Sequence, residues 1–252
     1  MANLITNLDL AKYLDDLLNS KNIKDYTKNG LQIEGKRSIS KVVTGVSASK
    51  DLIEHAIKVN ADCVLVHHGY FWKNEEELLI GMKGSRIKLL MQNNINLLSY
   101  HLPLDIHKEI GNNALLAKDL GLSNIESFKN NPLIFKGEFK EAVSIQDLSK
   151  LLKTKLNREP LHLGKGVKLI KTLALCTGAA QDYIIDAIDE KMDCFITGEV
   201  SERTYYQAME NDIEFFSAGH HATEVCGIKN LGKIIEKEFG LDVEFFNSEN
   251  PV

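Results

Sequence analysis

The chain has 252 residues, a formal net charge of −5 and a hydrophobic content of 44%, which are ordinary values for a soluble globular protein. Its length is sufficient for one large α/β domain or two smaller ones. The negative charge argues against a surface that coats nucleic acid, although it allows a local basic pocket. No apolar run approaches the length of a membrane span, and we expect no signal peptide from the N-terminal sequence.

Four cysteines are scattered along the chain without forming a C-x-x-C pair. Cys63 and Cys194 each lie inside an apolar run, where a reduced thiol behaves as a small hydrophobic side chain. This usage predicts a reducing, cytoplasmic location.

The first part of the chain alternates between strands and helices. Apolar residues at helical spacing predict a helix from Asn7, its expected N-cap, to Leu18. Ser49 is the expected cap of a second helix. The remaining segments are predicted strands at 30–35, 41–46, 62–66 and 95–100 and predicted helices at 86–93 and 112–120. Such alternation predicts an α/β fold with a largely parallel sheet flanked by helices.

The segment 123–170 is less regular, with a predicted strand at 133–139 and a predicted capped helix at 144–156. Beyond it the earlier pattern returns. The positions that match under a shift of 131 or 119 residues include the pairs Asp62/Asp193, Cys63/Cys194, His101/His220 and Asp105/Glu224. We therefore expect two duplicated, intertwined α/β halves at 1–122 and 171–252, joined by the irregular region 123–170. The alternative is that any two βαβ units look alike.

Potential metal donors follow the predicted strands, at the place where ligands collect in open α/β sheets. The donors are His67, His68, His101, Asp105, Glu199, His220, His221 and Glu224. Most of the eight histidines are in this set, whereas His55, His107 and His162 are interpreted as ordinary core residues. His220 and Glu224 are four residues apart, which places them on one face of a helix if the helix has begun.

Imidazole and carboxylate donors without thiolate suit Zn, Mn, Fe, Co or Ni. The donors are too numerous for one tetrahedral ion, and neighbours on a strand such as His67 and His68 point to opposite sides. Two divalent ions about 3.5–4 Å apart resolve both difficulties, with Asp105 or Glu224 as the bridging carboxylate. A water molecule held between two such ions becomes a nucleophile near neutral pH, which predicts hydrolysis.

Four motifs carry a family resemblance. They are VHHGYFW at 66–72, YHLPLD at 100–105, GEVSE at 198–202 and GHHATE at 219–224. In this order they resemble the NGG-interacting-factor-three family, whose bacterial members are commonly named GTP cyclohydrolase I type 2 homologues. The resemblance covers nearly the whole chain. It implies two intertwined α/β halves and a ring-shaped homohexamer with dinuclear sites facing its cavity.

The resemblance also implies roles for individual residues. The implied metal ligands are His67, His68, Asp105, His220 and Glu224. His101 and Glu199 match positions close to the site, so we expect them to support the ligands or transfer protons. His221 is interpreted as a packing or supporting residue, because the family pattern uses the first histidine of this pair. The family's named reaction opens the imidazole ring of GTP and releases formate.

Three functions remain open from the sequence. The first is a metal-dependent hydrolase that acts on a nucleotide such as GTP or on a related heterocycle. The second is a non-enzymatic metal-binding ring that serves as a scaffold or regulator, and the third is a phosphoesterase. No G-x-x-x-x-G-K-[ST] loop is present, and the basic, glycine-containing stretch at 164–168 is interpreted as a surface hairpin turn in preference to a phosphate clamp. The aromatic run at 70–72 either stacks on a purine or packs in the core or a subunit interface.

Overall fold

The structure is a computed structural model that describes residues 4–252. Its strands are β1 (Ile5–Thr6), β2 (Gly30–Ile33), β3 (Ser38–Ile39), β4 (Lys41–Ser47), β5 (Cys63–His68), β6 (Asn96–Ser99), β7 (Ser123–Ser127), β8 (Phe135–Val143), β9 (Leu161–Leu163), β10 (Ile170–Cys176), β11 (Cys194–Thr197), β12 (Glu214–Ser217) and β13 (Asp242–Phe245). Its α-helices are α1 (Asn7–Leu17), α2 (Lys50–Lys58), α3 (Gly81–Gln92), α4 (Leu102–Asp105), α5 (Asn112–Asp119), α6 (Ile145–Leu156), α7 (Ile184–Asp189), α8 (Glu202–Glu210) and α9 (His220–Phe239).

The chain forms two compact units, each assembled from two separate stretches. The first unit runs up to Leu104 and takes in 227–249, and the second contains 105–226 and 250–252. The chain therefore passes from one unit to the other inside α4 and again inside α9. Among residues 4–252, no helix combines the length and the apolar character that a bilayer crossing requires.

The first unit contains a five-stranded sheet in the order β13-β4-β5-β6-β2. Its first three pairings are parallel, and β2 joins β6 in the antiparallel sense. Strand residues such as Val43 and Val64 pack against Ile53 of α2 in one apolar core. Helix α2 begins where predicted, because the Ser49 side chain accepts a hydrogen bond from the backbone N–H of Leu52.

The second unit contains a six-stranded sheet in the order β7-β8-β10-β11-β12-β9. Only β10, β11 and β12 are joined by parallel pairings. Alternate residues of these strands face opposite sides, so Leu173 packs in the core that contains Leu148 of α6, and Ala174 packs in the core that contains Ala187 of α7. Apolar cores on both faces explain why these strands read as continuous hydrophobic runs. The predicted α/β fold is confirmed, and its sheets are mixed and partly parallel, with fewer parallel pairings in the second unit than expected.

The two units repeat the same internal register. Val42 pairs with Cys63 in the first unit, and Leu173 pairs with Cys194 in the second, at the same shift of 131 residues. Asp62 accepts from the backbone N–H groups of residues 40 and 41, and Asp193 accepts from those of residues 171 and 172. An internal duplication predicts this agreement. The boundaries of the duplicated halves at 1–122 and 171–252 stay a prediction.

Two local expectations differ from the structure. The N-cap of α1 is Thr6, whose hydroxyl accepts from the N–H of Asp9 at 3.1 Å, and the predicted cap Asn7 is wrong. Asn7 is buried inside the helix start instead, where its amide donates to Asn96. The segment 123–170 contributes β7, β8, α6 and β9 to the second unit.

Candidate functional site

Three histidines of the first unit converge at the carboxyl ends of β5 and β6. His67 and His68 close β5, and His101 lies two residues beyond β6. One nitrogen from each ring lies within 4.8 Å of the other two. The ring centroids of His67 and His68 lie 4.5 Å apart, so the divergence expected of neighbours on a strand does not keep these two rings apart. This geometry is suitable for binding a metal ion.

Hydrogen bonds from the first unit orient two of these rings. His67 is fully buried, and its Nδ1 donates to the backbone carbonyl of Tyr100 at 2.9 Å. In the neutral ring this leaves the lone pair on Nε2, the arrangement that a metal ligand needs. His68 Nδ1 is hydrogen-bonded to Ser47 Oγ, and Ser47 is the residue opposite His68 in the β4–β5 register.

Asp25 is a hydrogen-bond partner of the histidine cluster that the sequence did not reveal. His101 Nδ1 donates to Asp25 Oδ1 at 3.0 Å, and the other carboxylate oxygen accepts from the backbone N–H of Leu102. Burial raises the pKa of Asp25, but hydrogen bonds led by that from His101 outweigh it and hold the pKa below its usual range. Asp25 lies in an irregular segment before β2, so neither periodicity nor a motif indicates its role.

In the second unit, His220 starts α9 between two carboxylates. Its Nδ1 donates to Glu199 Oε1 at 2.6 Å, and its Nε2 lies 3.2 Å from Glu224 Oε2. The predicted one-turn spacing of His220 and Glu224 is confirmed, because both belong to α9. Glu199 follows β11, which places it at the carboxyl end of a parallel strand. A carboxylate at Nδ1 is the usual support of a metal-binding imidazole.

The two carboxylates control the charge of His220. Burial lowers its pKa, but the hydrogen bonds and negative charges of Glu224 and Glu199 outweigh burial and raise the pKa to about 9. In the absence of a metal ion, both ring nitrogens therefore carry a proton at neutral pH. A cation at Nε2 would take the place of that proton.

Asp105 lies at the end of α4 and is buried in the second unit. Its Oδ1 accepts from the Asn112 amide at 2.8 Å and from the Thr177 hydroxyl at 3.3 Å. Burial, followed by the charges of Asp105 and Glu224, raises the pKa of the Cys176 thiol. Both carboxylates are thus close to the carboxyl end of β10, which ends at Cys176.

A glycine leaves room for the donors of the second unit. Gly178 has a φ of +73°, and a Cβ added there would collide with Glu224 Oε1 and lie 3.2 Å from His220 Nε2. Its backbone N–H donates to Thr223 Oγ1, which in turn donates to the carbonyl of His220. No local pattern marks this position, because the glycine is required by a contact with residues more than forty positions away.

The remaining histidines have separate roles. His55 pairs with Glu244 at 2.7 Å and His162 with Glu214 at 2.6 Å, each within its own unit. His221 is buried, and its backbone N–H donates to the carbonyl of Val252 at 2.9 Å. His55 and His162 are only half-buried, so their interpretation as core residues is wrong. His107 is also half-buried, and its Nδ1 accepts from the backbone N–H of Ile110. The supporting role of His221 stays a prediction.

The irregular stretch at 164–168 is held by Glu214 and Asp212. The Gly166 N–H donates to the Glu214 carboxylate, and the Lys165 ammonium pairs with Asp212 at 3.1 Å. A phosphate clamp needs this N–H and this ammonium group for its ligand. The predicted hairpin turn is wrong, because β11 and β12 lie between the flanking strands β9 and β10 in the sheet.

The aromatic run divides between core and surface. Tyr70 is buried, its hydroxyl donates to the carbonyl of Ala48, and burial raises its pKa to about 12. The ring of Trp72 lies 5.0 Å from that of His101, edge to face. Tyr70 therefore packs in the core, whereas Trp72 borders the histidine cluster.

The side chains fit a divalent transition-metal ion on chemical grounds. The donors are imidazole nitrogens and carboxylate oxygens, which suit zinc, manganese, iron, cobalt and nickel. His67 and His220 are held through Nδ1, so Nε2 would be the atom of each ring that binds a metal ion. The second unit also keeps space beside its donors at Gly178.

Comparisons with known proteins agree with the four motifs. A family model described as Duf34/NIF3 (NGG1p interacting factor 3) matches residues 5–251. A protein of Haemophilus influenzae named GTP cyclohydrolase 1 type 2 homolog is 50% identical over 250 residues, which cover 98% of this chain and 100% of the relative. The predicted resemblance is confirmed.

Two solved structures share the fold over nearly the whole chain. Protein ybgI, described as being of unknown function, has a TM-score of 0.95 at 44% identity, with 98% of this chain and 100% of that chain covered. TTHA1606 from Thermus thermophilus has a TM-score of 0.89 at 30% identity, again with 98% and 100% covered.

Proposed function

Because the chain belongs to the Duf34/NIF3 (NGG1p interacting factor 3) family, we propose that it is a metal-dependent hydrolase that acts on a nucleotide or a related heterocycle. The observation that carries the proposal is that the imidazole nitrogens of two proposed ligands, His67 and His68, lie within 4.8 Å of each other and of a nitrogen of His101, the proposed proton-transfer residue. The name of the Haemophilus influenzae relative supports a guanine nucleotide such as GTP as the first substrate to test.

The proposed metal ligands are those implied by the family pattern. We propose that two divalent ions per chain are held by His67, His68, Asp105, His220 and Glu224. Such ions act as Lewis acids and lower the pKa of a water molecule that they bind. The orienting contacts of His67 and His220 support this assignment, because a fixed Nδ1 proton directs Nε2 toward a cation.

His101 and Glu199 have different proposed roles. The Asp25 carboxylate fixes the proton of His101 on Nδ1, so Nε2 of this ring is able to accept a proton from a reacting group. Glu199 accepts from His220 Nδ1 and keeps that ring in place. We assign proton transfer to His101 and orientation of a ligand to Glu199.

Metal analysis together with a turnover assay tests the proposal. The purified full chain is expected to contain close to two divalent ions, measured by inductively coupled plasma mass spectrometry. The metal-loaded chain is then assayed for formate release from GTP, alongside other nucleotides and phosphate esters. Release of formate supports the hydrolase, and phosphate release alone supports a phosphoesterase. Absence of turnover across the panel with the metal retained contradicts both.

A second candidate function is a non-enzymatic, metal-binding scaffold that self-associates into a ring. It is favoured by an exposed apolar cluster in the second unit, formed by Leu161, Val200, Tyr205 and Tyr206. Clusters of this kind commonly mark protein contacts. We propose that the chain is a homo-oligomer, with a hexamer as the expected size, and that it resides in the cytoplasm. Light scattering after size-exclusion chromatography measures the assembly, and a monomer at micromolar concentration contradicts it.

A further inference from the structure

A cavity of about 620 Å³ lies in the first unit next to the histidine cluster. Asp25, Tyr26 and Trp72 belong to its wall, and each of them also contacts His101. The cavity therefore adjoins the ring to which proton transfer is assigned. Its volume falls within the range of pockets that bind small molecules, which is about 300–1,000 Å³.

Two aromatic rings of this wall are suitable for stacking. The rings of Tyr26 and Trp72 lie 5.9 Å apart at an interplanar angle of 35°, and Tyr26 is 52% exposed. The backbone N–H of Lys73 donates to the carbonyl of Tyr26 at 2.6 Å, which fixes the two wall segments to each other. Exposed aromatic faces held in a fixed position attract flat heteroaromatic rings.

The wall of the cavity carries three positive and three negative side chains. The charged side chains are Asp25, Lys28, Lys73, Glu75, Glu77 and Lys83. Asp25 is engaged by His101, and Lys83 pairs with Glu75 at 3.0 Å. By contrast, Lys28 and Lys73 take part in no ion pair within residues 4–252, so these two ammonium groups remain available to a ligand. A phosphate group is a suitable partner for the two ammonium groups.

We propose that this cavity binds a nucleoside phosphate, with the base stacked on Tyr26 and Trp72 and the phosphate held by Lys28 and Lys73. The inference rests on the proposed function, because it describes the substrate pocket of the same histidine cluster. Of the residues that would contact the nucleotide, only Trp72 belongs to one of the four family motifs, whereas Tyr26, Lys28 and Lys73 lie outside them. In this proposal Lys28 and Lys73 bind the phosphate, a role for which the stretch at 164–168 is not suitable.

Trp72 is the only tryptophan of the chain, so its fluorescence reports on this cavity alone. The metal-loaded full chain is titrated with guanosine 5′-monophosphate, with guanosine and with inorganic phosphate, and free N-acetyltryptophanamide corrects for absorption by the base. We expect saturable quenching by the nucleotide, about tenfold weaker binding of guanosine, and no quenching by phosphate.

Matched variants separate the two parts of the cavity. Tyr26→Ala is expected to weaken binding of the nucleotide about tenfold, since stacking on one aromatic side chain contributes about that much. The double variant Lys28→Gln, Lys73→Gln is expected to bind the nucleotide about tenfold more weakly and to bind guanosine as the wild type does. Unchanged guanosine binding would show that the cavity is intact in this variant. Lys24→Gln, an exposed lysine outside the wall, is the control and is expected to bind like the wild type.

The outcomes distinguish this inference from the proposed function. If the nucleotide binds but neither turnover nor bound metal is found, the cavity assignment is supported and the hydrolase proposal is contradicted. If GTP is turned over but the fluorescence of Trp72 does not change, the hydrolase proposal is supported and the cavity assignment is overturned. Quenching that persists unchanged in Tyr26→Ala, or guanosine that binds as tightly as its phosphate, also overturns it.

Discussion

His220 Nε2 and Glu224 Oε2 lie 3.2 Å apart across the first turn of α9. Helix α9 begins at His220, and residues four apart share one face of a helix, so the helix holds the imidazole and the carboxylate next to each other. The pair is also tied to β11 through Glu199, which accepts from the other nitrogen of the same ring.

Replacement of Glu224 by Gln is expected to lower the bound metal without unfolding the chain. An amide is a weaker ligand than a carboxylate and cannot balance the charge of a cation. We expect metal affinity to fall by at least the 10- to 100-fold that is typical for loss of a group supporting a ligand. Metal content after dialysis against a buffered chelator measures the effect, and Glu202→Gln on α8 is the control. Unchanged metal in Glu224→Gln would remove this residue from the ligand set.

The stability of the metal-free chain is expected to fall as the pH rises above neutrality. The pKa of His220 is raised from 6.5 to about 9 in the folded chain, so its protonation stabilises the fold fully below pH 6.5 and progressively less up to about pH 9. Protonation of His220 contributes on the order of 3 kcal/mol to the free energy of unfolding below pH 6.5. Urea unfolding between pH 6 and pH 9.5 measures it, with His220→Asn as the variant that should lack this dependence. Metal affinity should instead increase as the pH rises, because a metal ion that binds His220 displaces its Nε2 proton.

Gly178→Ala is expected to disrupt the donors of the second unit. Its Cβ would collide with Glu224, and alanine at a φ of +73° is also strained by roughly 1–2 kcal/mol. Gly121→Ala is a matched control, because Gly121 has a φ of +78° and no atom within 4 Å of the added Cβ. Both variants should lose stability in thermal unfolding, but only Gly178→Ala should lose metal. Equal metal content in the two variants would contradict the contact argument.

His101→Gln is expected to retain metal but reduce turnover by about 10²- to 10⁴-fold, the usual contribution of a general acid or base. Asp25→Asn should act in the same direction and more weakly, because it removes the charge that fixes the proton on His101 Nδ1. Asp16→Asn, an exposed carboxylate of α1, is the control. The ratio of turnover to bound metal is the measurement. A parallel loss of metal in His101→Gln would instead identify this histidine as a ligand.

Local signals in the sequence predicted the parts of the fold that depend on neighbouring residues. Ser49 and Ser144 cap α2 and α6 as expected, because a hydroxyl three residues before a free N–H is a local arrangement. The histidines at the ends of β5 and β6 were predictable for a similar reason, since parallel strands bring their carboxyl ends to one edge of a sheet.

Contacts between distant segments were not predictable in this way. Asp25 reaches His101 across 76 positions of the chain, and no periodicity marks the segment in which it lies. The edge strands β9 and β13 were missed because they are short and their pairing is set by remote partners. Asn7 was assigned as a cap from its residue type, whereas its amide is used by Asn96 in the core.

Strand β13 gives the first unit a dependence on the timing of protein synthesis. It lies parallel to β4, with Asp242 opposite Lys41, so β4 remains an open edge until about two hundred further residues have been translated. Exposed edges invite pairing with other chains during that interval. A nascent chain released before β13 would therefore be prone to aggregation, and ribosome-bound chaperones would be expected to protect it.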